Sequence, residues 1–264
     1  MPPRPQARPR RGAASRSPGT RDRALVLRRY PYGETSLVVR VLTPGQGRVN
    51  LLAKGAYRPT SGYCGVLDYF DTLELTWRRR PGQDLGVLAA GELRERRRGL
   101  TADLERYRAG LAVLELAGLA AREGQPEVAL FGLVESTLGH LAGGEVQPLL
   151  ALTWFDLAFL AQEGLEPALE HCAVCGRREG ERGERASFSA LAGGRLCPTC
   201  ADEARASGRR VEGLPLNVLR LARSLRNTPG ELLPRTHAGP RALPPVAAFV
   251  RRFLEAHLET RLRR

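Results

Sequence analysis

The chain has 264 residues, 42% of them hydrophobic, enough for one large domain or two smaller ones with an insert. Its net charge of +13 points to a polyanionic partner, nucleic acid or an anionic membrane surface. The longest apolar run, about residues 148–161, is too short for a membrane span and contains Asp156, which argues against an integral membrane protein.

Residues 1–23 carry seven arginines against Asp22, with five prolines and no apolar stretch. They read as a disordered basic tail able to touch nucleic acid without specificity, not as a secretory signal, so the cytoplasm is the expected compartment. Only Lys54 among the basic residues is lysine, a skew typical of GC-rich coding, so no single arginine argues for phosphate recognition. Charge is uneven along the chain: net +6 over 24–98, −8 over 99–170 and +9 over 171–264.

Residues 24–98 read as β. ALVLRRY, TSLVVRVLT, GRVNLLAK, LDYFDTLELTW and DLGVLAAGEL are five runs rich in β-branched, leucine and aromatic residues. Pro31-Tyr32-Gly33, Pro44 to Gly47 and Pro81-Gly82 punctuate them as turns. Leu37, Val39 and Val41 alternate with Val38, Arg40 and Leu42, the two-residue period of a strand. Five antiparallel strands with one long, glycine-rich connection fit a small closed barrel, an OB-fold first and an SH3-like barrel second.

Residues 99–170 turn helical. Thr101 is the expected N-cap of the first helix, Pro126 falls in the first turn of the second, and 146–162 is apolar almost all round, as a central helix would be. Helical spacing resumes over 211–264, in 215–226 and 245–262. The fold class is therefore α+β and multi-domain: a five-stranded barrel, then an all-α domain interrupted at 171–210.

That insert holds HCAVCG and RLCPTC, two Cys-x-x-Cys pairs separated by 21 residues. A pair at this spacing offers two thiolates from one turn to the same tetrahedral ion, so Cys172, Cys175, Cys197 and Cys200 are expected to bind one structural zinc per chain. A redox pair and two disulfides are the weaker alternatives. Four thiolates leave no open position for water, so such a zinc would be a staple. His171 is an alternative ligand, and Cys64 has no partner in sequence.

No P-loop, dinucleotide fingerprint or nucleophile elbow occurs, so neither catalysis nor a small-molecule substrate is expected. Nucleic acid is favoured instead. The barrel offers Arg40, Arg48, Lys54 and Arg58 beside Tyr57, then Arg78, Arg79 and Arg80 at its last hairpin, then Arg94, Arg96, Arg97 and Arg98. An RNA- or ribosome-binding barrel with a structural zinc would explain the same charge.

The order of these parts resembles the bacterial recombination mediator family RecO. The resemblance rests on VLRRYPYGETSLVVRVLTPGQGRVNLLAKGAYRP, GVLDYFDTLELTW, GELRE, EPALEHCAVCG and FSALAGGRLCPTC, and runs from Ala24 to about Leu258. It implies an OB-fold and a helical domain, binding of single- and double-stranded DNA, and annealing of complementary strands. It also implies, in a nucleoid-associated setting, partnership with RecR in loading RecA onto strands coated by single-strand binding protein. The basic loop carries over to Lys54 and Arg58, although Tyr57 stands where the family more often has a basic residue. The acidic tail of single-strand binding protein would meet the helical domain, for which Arg220, Arg223, Phe249, Arg252 and Phe253 are the candidates.

Overall fold

The computed structural model describes residues 19–63, 65–180 and 183–258; most of the basic tail, and Cys64, lie outside the described residues. Strands β1 (Thr20–Tyr32), β2 (Ser36–Thr43), β3 (Gly47–Ala53), β4 (Thr72–Arg78) and β5 (Leu85–Glu95) close into a barrel in the order β1-β2-β3-β5-β4. Only β3 and β5 run parallel. This is the strand order of an OB barrel. β1 begins at Thr20, four residues inside the expected tail, because Thr20 to Ala24 pair with Leu73 to Trp77 of β4. Conversely β4 starts only at Thr72: the apolar run from Leu67 plugs the barrel end, with Leu67 and Phe70 buried. Alternation fills the inside with Val39, Val41, Val49, Leu51, Leu73, Leu75 and Trp77.

The helical part contains α1 (Leu104–Ala120), α2 (Val128–Gly143), α3 (Pro148–Gln162), α4 (Pro198–Ala206), α5 (Leu216–Arg226) and α6 (Leu243–His257). Asp103, not Thr101, caps α1, its carboxylate accepting from the Arg106 amide. Pro126 lies just before α2, whose N-cap is Glu127. α3 is central, with Leu150, Trp154, Phe155, Leu157, Phe159 and Leu160 buried. Between α3 and α5 the chain forms a three-stranded sheet, β7-β6-β8 (Gly194–Leu196, Arg185–Ser189, Glu212–Pro215). β8 lies beyond the expected end of the insert, so this part of the chain is not purely helical. Among the described residues no helix is long and apolar enough to cross a membrane.

Barrel and helices share a tight seam. The turn between β2 and β3 bonds backbone-to-backbone with the α1–α2 connection: Arg48 N–H to Arg122 O (2.9 Å), Gly124 N–H to Gln46 O (3.0 Å) and Glu127 N–H to Pro44 O (2.8 Å). Gly47, at φ +60°, is required there, since a Cβ would fall 2.2 Å from Arg122 O. Acids of the helical stretch face barrel arginines across the seam: Glu135 to Arg23 (3.1 Å), Glu123 to Arg48 (3.6 Å) and Glu115 to Arg28 (3.9 Å). The reversal of charge along the sequence thus includes complementarity between two packed parts.

Candidate nucleic-acid interface and metal centre

The register of the barrel builds its outer surface row by row. Tyr30 stands opposite Val38, Val38 opposite Leu52, and Leu52 opposite Val87. Directly paired residues share a face of a sheet, so these four form one outward row across β1, β2, β3 and β5. The neighbouring row is Arg28, Arg40, Asn50 and Leu85. On the other side, Tyr32 pairs with Ser36, and β3 runs out toward Lys54. Tyr30 and Tyr32 are 40% and 58% exposed, and Leu85 and Val87 are also open to solvent. The Arg40 guanidinium lies 5.9 Å from the Tyr30 ring centre and its Nε donates to Asn50 Oδ1 at 3.2 Å.

Cations flank these rows. The loop after β3 brings exposed Lys54, Tyr57 and Arg58 beside the β1–β2 turn, where the Tyr57 amide donates to Thr35 O at 2.9 Å. Arg78, Arg79 and Arg80 crown the β4–β5 turn. These five cations and Arg98 are exposed, and among the described residues none has an ion-pair partner within 4 Å. That is the arrangement a polyanion needs: charges not already neutralised from within.

Other arginines expected here are spent on the fold. Arg97 is 4% exposed: Nη1 donates to Phe70 O (2.8 Å) and Thr72 Oγ1 (2.9 Å), and Nη2 to Glu95. Burial lowers its pKa from the ordinary arginine value, while Glu95, Glu135 and Asp71 work the other way. Phe70, at φ +73°, is the only non-glycine residue with positive φ among the described residues; its carbonyl meets Arg97 while its ring packs edge-on against Tyr107 at 5.3 Å. Arg97 is therefore held inside the end of the barrel by Phe70, Thr72 and Glu95 and offers no surface to a strand. Arg48 is committed to the seam, donating to Gly118 O (3.3 Å) beside Glu123. Arg94 pairs with Glu74, and Arg96 with Asp71 at 3.2 Å.

Tyr32 was hidden in the sequence because Pro31-Tyr32-Gly33 reads as a turn, whereas Tyr30 closes the first expected strand. β1 in fact runs through Tyr32. The signal was the spacing of Arg28, Tyr30 and Tyr32, which continues the two-residue period.

In the insert the four cysteine Sγ atoms all lie within 4.8 Å of one another. A tetrahedral ion with bonds of about 2.3 Å to sulfur requires edges of roughly 3.8 Å, and Cys175 and Cys197 Sγ are 3.8 Å apart. Backbone geometry prepares both knuckles. Gly176, at φ +72°, turns its amide onto Cys172 O (2.9 Å). Cys197 caps α4 and accepts from the Cys200 amide at 3.5 Å. Burial would raise the Cys172 thiol, but amides of Cys175, Cys197 and Val174 outweigh it and bring it down to about 6. Cys200 moves up, first because its S–H is held by Cys197 and then by burial. The donor set suits a metal ion bound by thiolates alone; His171 is exposed and outside it.

The partner pocket expected on the last two helices is not open. Phe249 and Phe253 are each 1% exposed and meet Phe188 at 4.9 and 6.0 Å, so they form the core under the β-sheet of the insert. Arg223 pairs with Glu170 (3.0 Å) and Arg252 with Glu212 (3.7 Å); Arg220 is exposed. Phe249 and Phe253 had the right helical spacing, but that spacing marks a buried face as readily as a docking one.

Residues 19–97 match the family model described as recombination protein O N terminal, and residues 101–264 the one described as recombination protein O C terminal. The chain is 38% identical over 177 residues to the DNA repair protein RecO of Rhodopirellula baltica, covering 67% of this chain and 65% of that protein, just under two thirds of its length. To the protein of the same name from Nocardioides sp. it is 38% identical over 182 residues, 68% and 73% of the two chains. To that of Anaeromyxobacter sp. (strain Fw109-5) it is 33% identical over 243 residues, 90% and 91% of the two.

Proposed function

Because this chain belongs to the recombination protein O family, we propose that it is a DNA repair protein acting as a recombination mediator: a binder of single- and double-stranded DNA that anneals complementary strands. In this reading it works with RecR to load RecA onto DNA coated by single-strand binding protein, whose acidic tail is a further partner. The setting is the bacterial cytoplasm, at the nucleoid. The role needs no catalytic group; it needs a surface that holds strands reversibly.

The observation that carries the reading is the outward row of Tyr30, Val38, Leu52 and Val87, with Tyr32 beside it and unpaired cations at both ends. Tyr30 and Tyr32 are two residues apart on one strand, about 6.6 Å, which suits two successive bases of an extended strand. Base–aromatic stacking contributes about 1–3 kcal/mol per base and tolerates any sequence. Lys54, Arg58 and Arg78 to Arg80 supply the phosphate contacts, with Arg40, Tyr57 and Arg98 beside them. A duplex keeps its bases stacked inside and would use the cations alone.

We assign one zinc ion per chain to Cys172, Cys175, Cys197 and Cys200. With all four positions taken by thiolates, zinc would supply local folding energy. The test of the function is annealing of complementary oligonucleotides coated with single-strand binding protein, with and without RecR. Faster annealing by the protein, and RecA loading that depends on RecR, are expected; an annealing rate equal to the protein-free control would contradict the reading.

A further inference from the structure

β1 carries one charge on the inner side of the barrel wall. Arg29 pairs with Val39, and Val39 with Leu51, both fully buried, so Arg29 belongs to the inward row. It reaches the barrel end plugged by the run from Leu67, where its Nη1 donates to Asp68 Oδ1 at 2.7 Å. The two side chains are 31% and 51% exposed. Among the described residues neither has another side-chain hydrogen bond or ion pair. The Nε and Nη2 donors of Arg29 and the Oδ2 acceptor of Asp68 are thus open to a third group.

The pair borders a hollow of about 240 Å³, lined also by buried Leu37 and Leu67 and by Tyr57 and Tyr63. The Tyr63 hydroxyl is committed to Leu88 O at 3.1 Å, which fixes that ring as a wall, while Tyr57 is half exposed at the rim. The volume is below the roughly 300–1,000 Å³ of sites that enclose drug-sized ligands. It admits one flat ring system and leaves a sugar and a phosphate outside. Arg58 lines the same hollow, its stem folded over Gly55, where a Cβ would fall 3.2 Å from Arg58 Cδ. The hollow adjoins the tyrosine rows: Tyr32 pairs with Ser36, whose hydroxyl accepts from the Gly55 amide at 3.2 Å.

We propose that this hollow takes a single unpaired base from a strand lying on the tyrosine rows, and that the Arg29–Asp68 pair reads the Watson–Crick edge of that base. The inference rests on the DNA-binding reading above. Every base carries a donor beside an acceptor on that edge: N6–H and N1 in adenine, N1–H and O6 in guanine, N4–H and N3 in cytosine, N3–H and O4 in thymine. Asp68 accepts from the one and Arg29 donates to the other, so the pocket tolerates any sequence. In a duplex the same edge is taken by the complementary strand, so the pocket requires a base that is unpaired. Arg58 at the mouth contacts the phosphate of the same nucleotide.

The test compares wild-type binding of oligodeoxythymidine with that of the same oligomer bearing N3-methylthymine throughout. The methyl group removes the N3–H donor and leaves the ring face, the sugars and the phosphates in place. Loss of one base-edge contact weakens binding about 5- to 150-fold. With Asp68 half exposed the low end is expected, roughly five- to tenfold weaker binding of the methylated strand, with the salt slope unchanged. Asp68→Ala should bind the two strands alike. The pair is partly exposed, so this variant should unfold close to wild type; if it does not fold, the wild-type comparison decides alone. Equal binding of both strands by wild type would overturn the pocket and leave stacking on the tyrosine rows intact. Undiminished discrimination in Asp68→Ala would overturn it too. Failure of wild type to bind either strand would overturn the DNA-binding reading, and the pocket with it.

Discussion

Replacing Arg97 with alanine separates a structural arginine from a binding one. The side chain is buried and donates to Phe70 O, Thr72 Oγ1 and Glu95. Thr72 keeps a partner in Glu135 (3.0 Å), and Asp71 keeps the Arg97 amide (3.0 Å) and Arg96, so the group stranded is the Phe70 carbonyl. An unsatisfied buried acceptor costs about 1–3 kcal/mol, and the space left by a large side chain adds to it. A loss of roughly 3–4 kcal/mol follows, a drop of about 6–16 °C in Tm for a chain of this size. Arg98→Ala, one residue on but exposed and without an ion pair, should change stability by no more than about 0.5 kcal/mol and reduce the salt slope of single-strand binding by about 0.7. Thermal unfolding followed by circular dichroism, with DNA titration well below the transition, measures both. If Arg97→Ala unfolds like wild type yet binds DNA more weakly than Arg98→Ala, the assignment of Arg97 to the interior is wrong.

Elemental analysis should find one zinc per chain, and Cys175→Ser should lose it and lower the stability of the insert while leaving short-oligonucleotide binding within about twofold; full metal content in the variant would refute the ligand set. His140 packs edge-on to Trp154 at 6.1 Å, and burial lowers its pKa below 6.5 against a smaller opposing effect of the Gly230 backbone. The unfolded chain then takes up this proton at higher pH than the folded one, so stability should fall as pH drops through 6.5. His140→Gln should flatten that limb in unfolding monitored by tryptophan fluorescence, and an unchanged limb would refute it. Gly110→Val would press its side chain into Phe70 and Leu100, with the Cβ alone at 2.8 and 2.6 Å, costing about 1–3 kcal/mol; wild-type stability would show that the seam is looser than described.

The five strands and both cysteine knuckles were legible because each follows a local rule: a two-residue period, a turn residue, a Cys-x-x-Cys spacing. What escaped depends on distant partners. Arg94, Arg96, Arg97 and Arg98 look alike in sequence, yet Arg97 turns inward because Phe70, Thr72 and Glu95 wait for it. The stretch 99–170 showed in sequence only as a reversal of charge, and the packed seam showed Glu115, Glu123 and Glu135 answering Arg28, Arg48 and Arg23. β8 pairs with β6 from across the cysteine insert, a contact with no local signature. Tyr32 was lost to the turn because proline and glycine on either side outweighed the strand period.

The most direct measurement is single-strand affinity of Tyr30→Ala/Tyr32→Ala against wild type, with duplex of equal length alongside. Loss of two stacked bases, at about 1–3 kcal/mol each, should weaken single-strand binding at least about 30-fold, leave duplex binding within about twofold and keep the salt slope unchanged, with Tyr30→Phe/Tyr32→Phe restoring most of the loss. Equal single-strand affinity in the alanine variant and wild type, or equal losses on single strand and duplex, would contradict the placement of the DNA site on this face of the barrel.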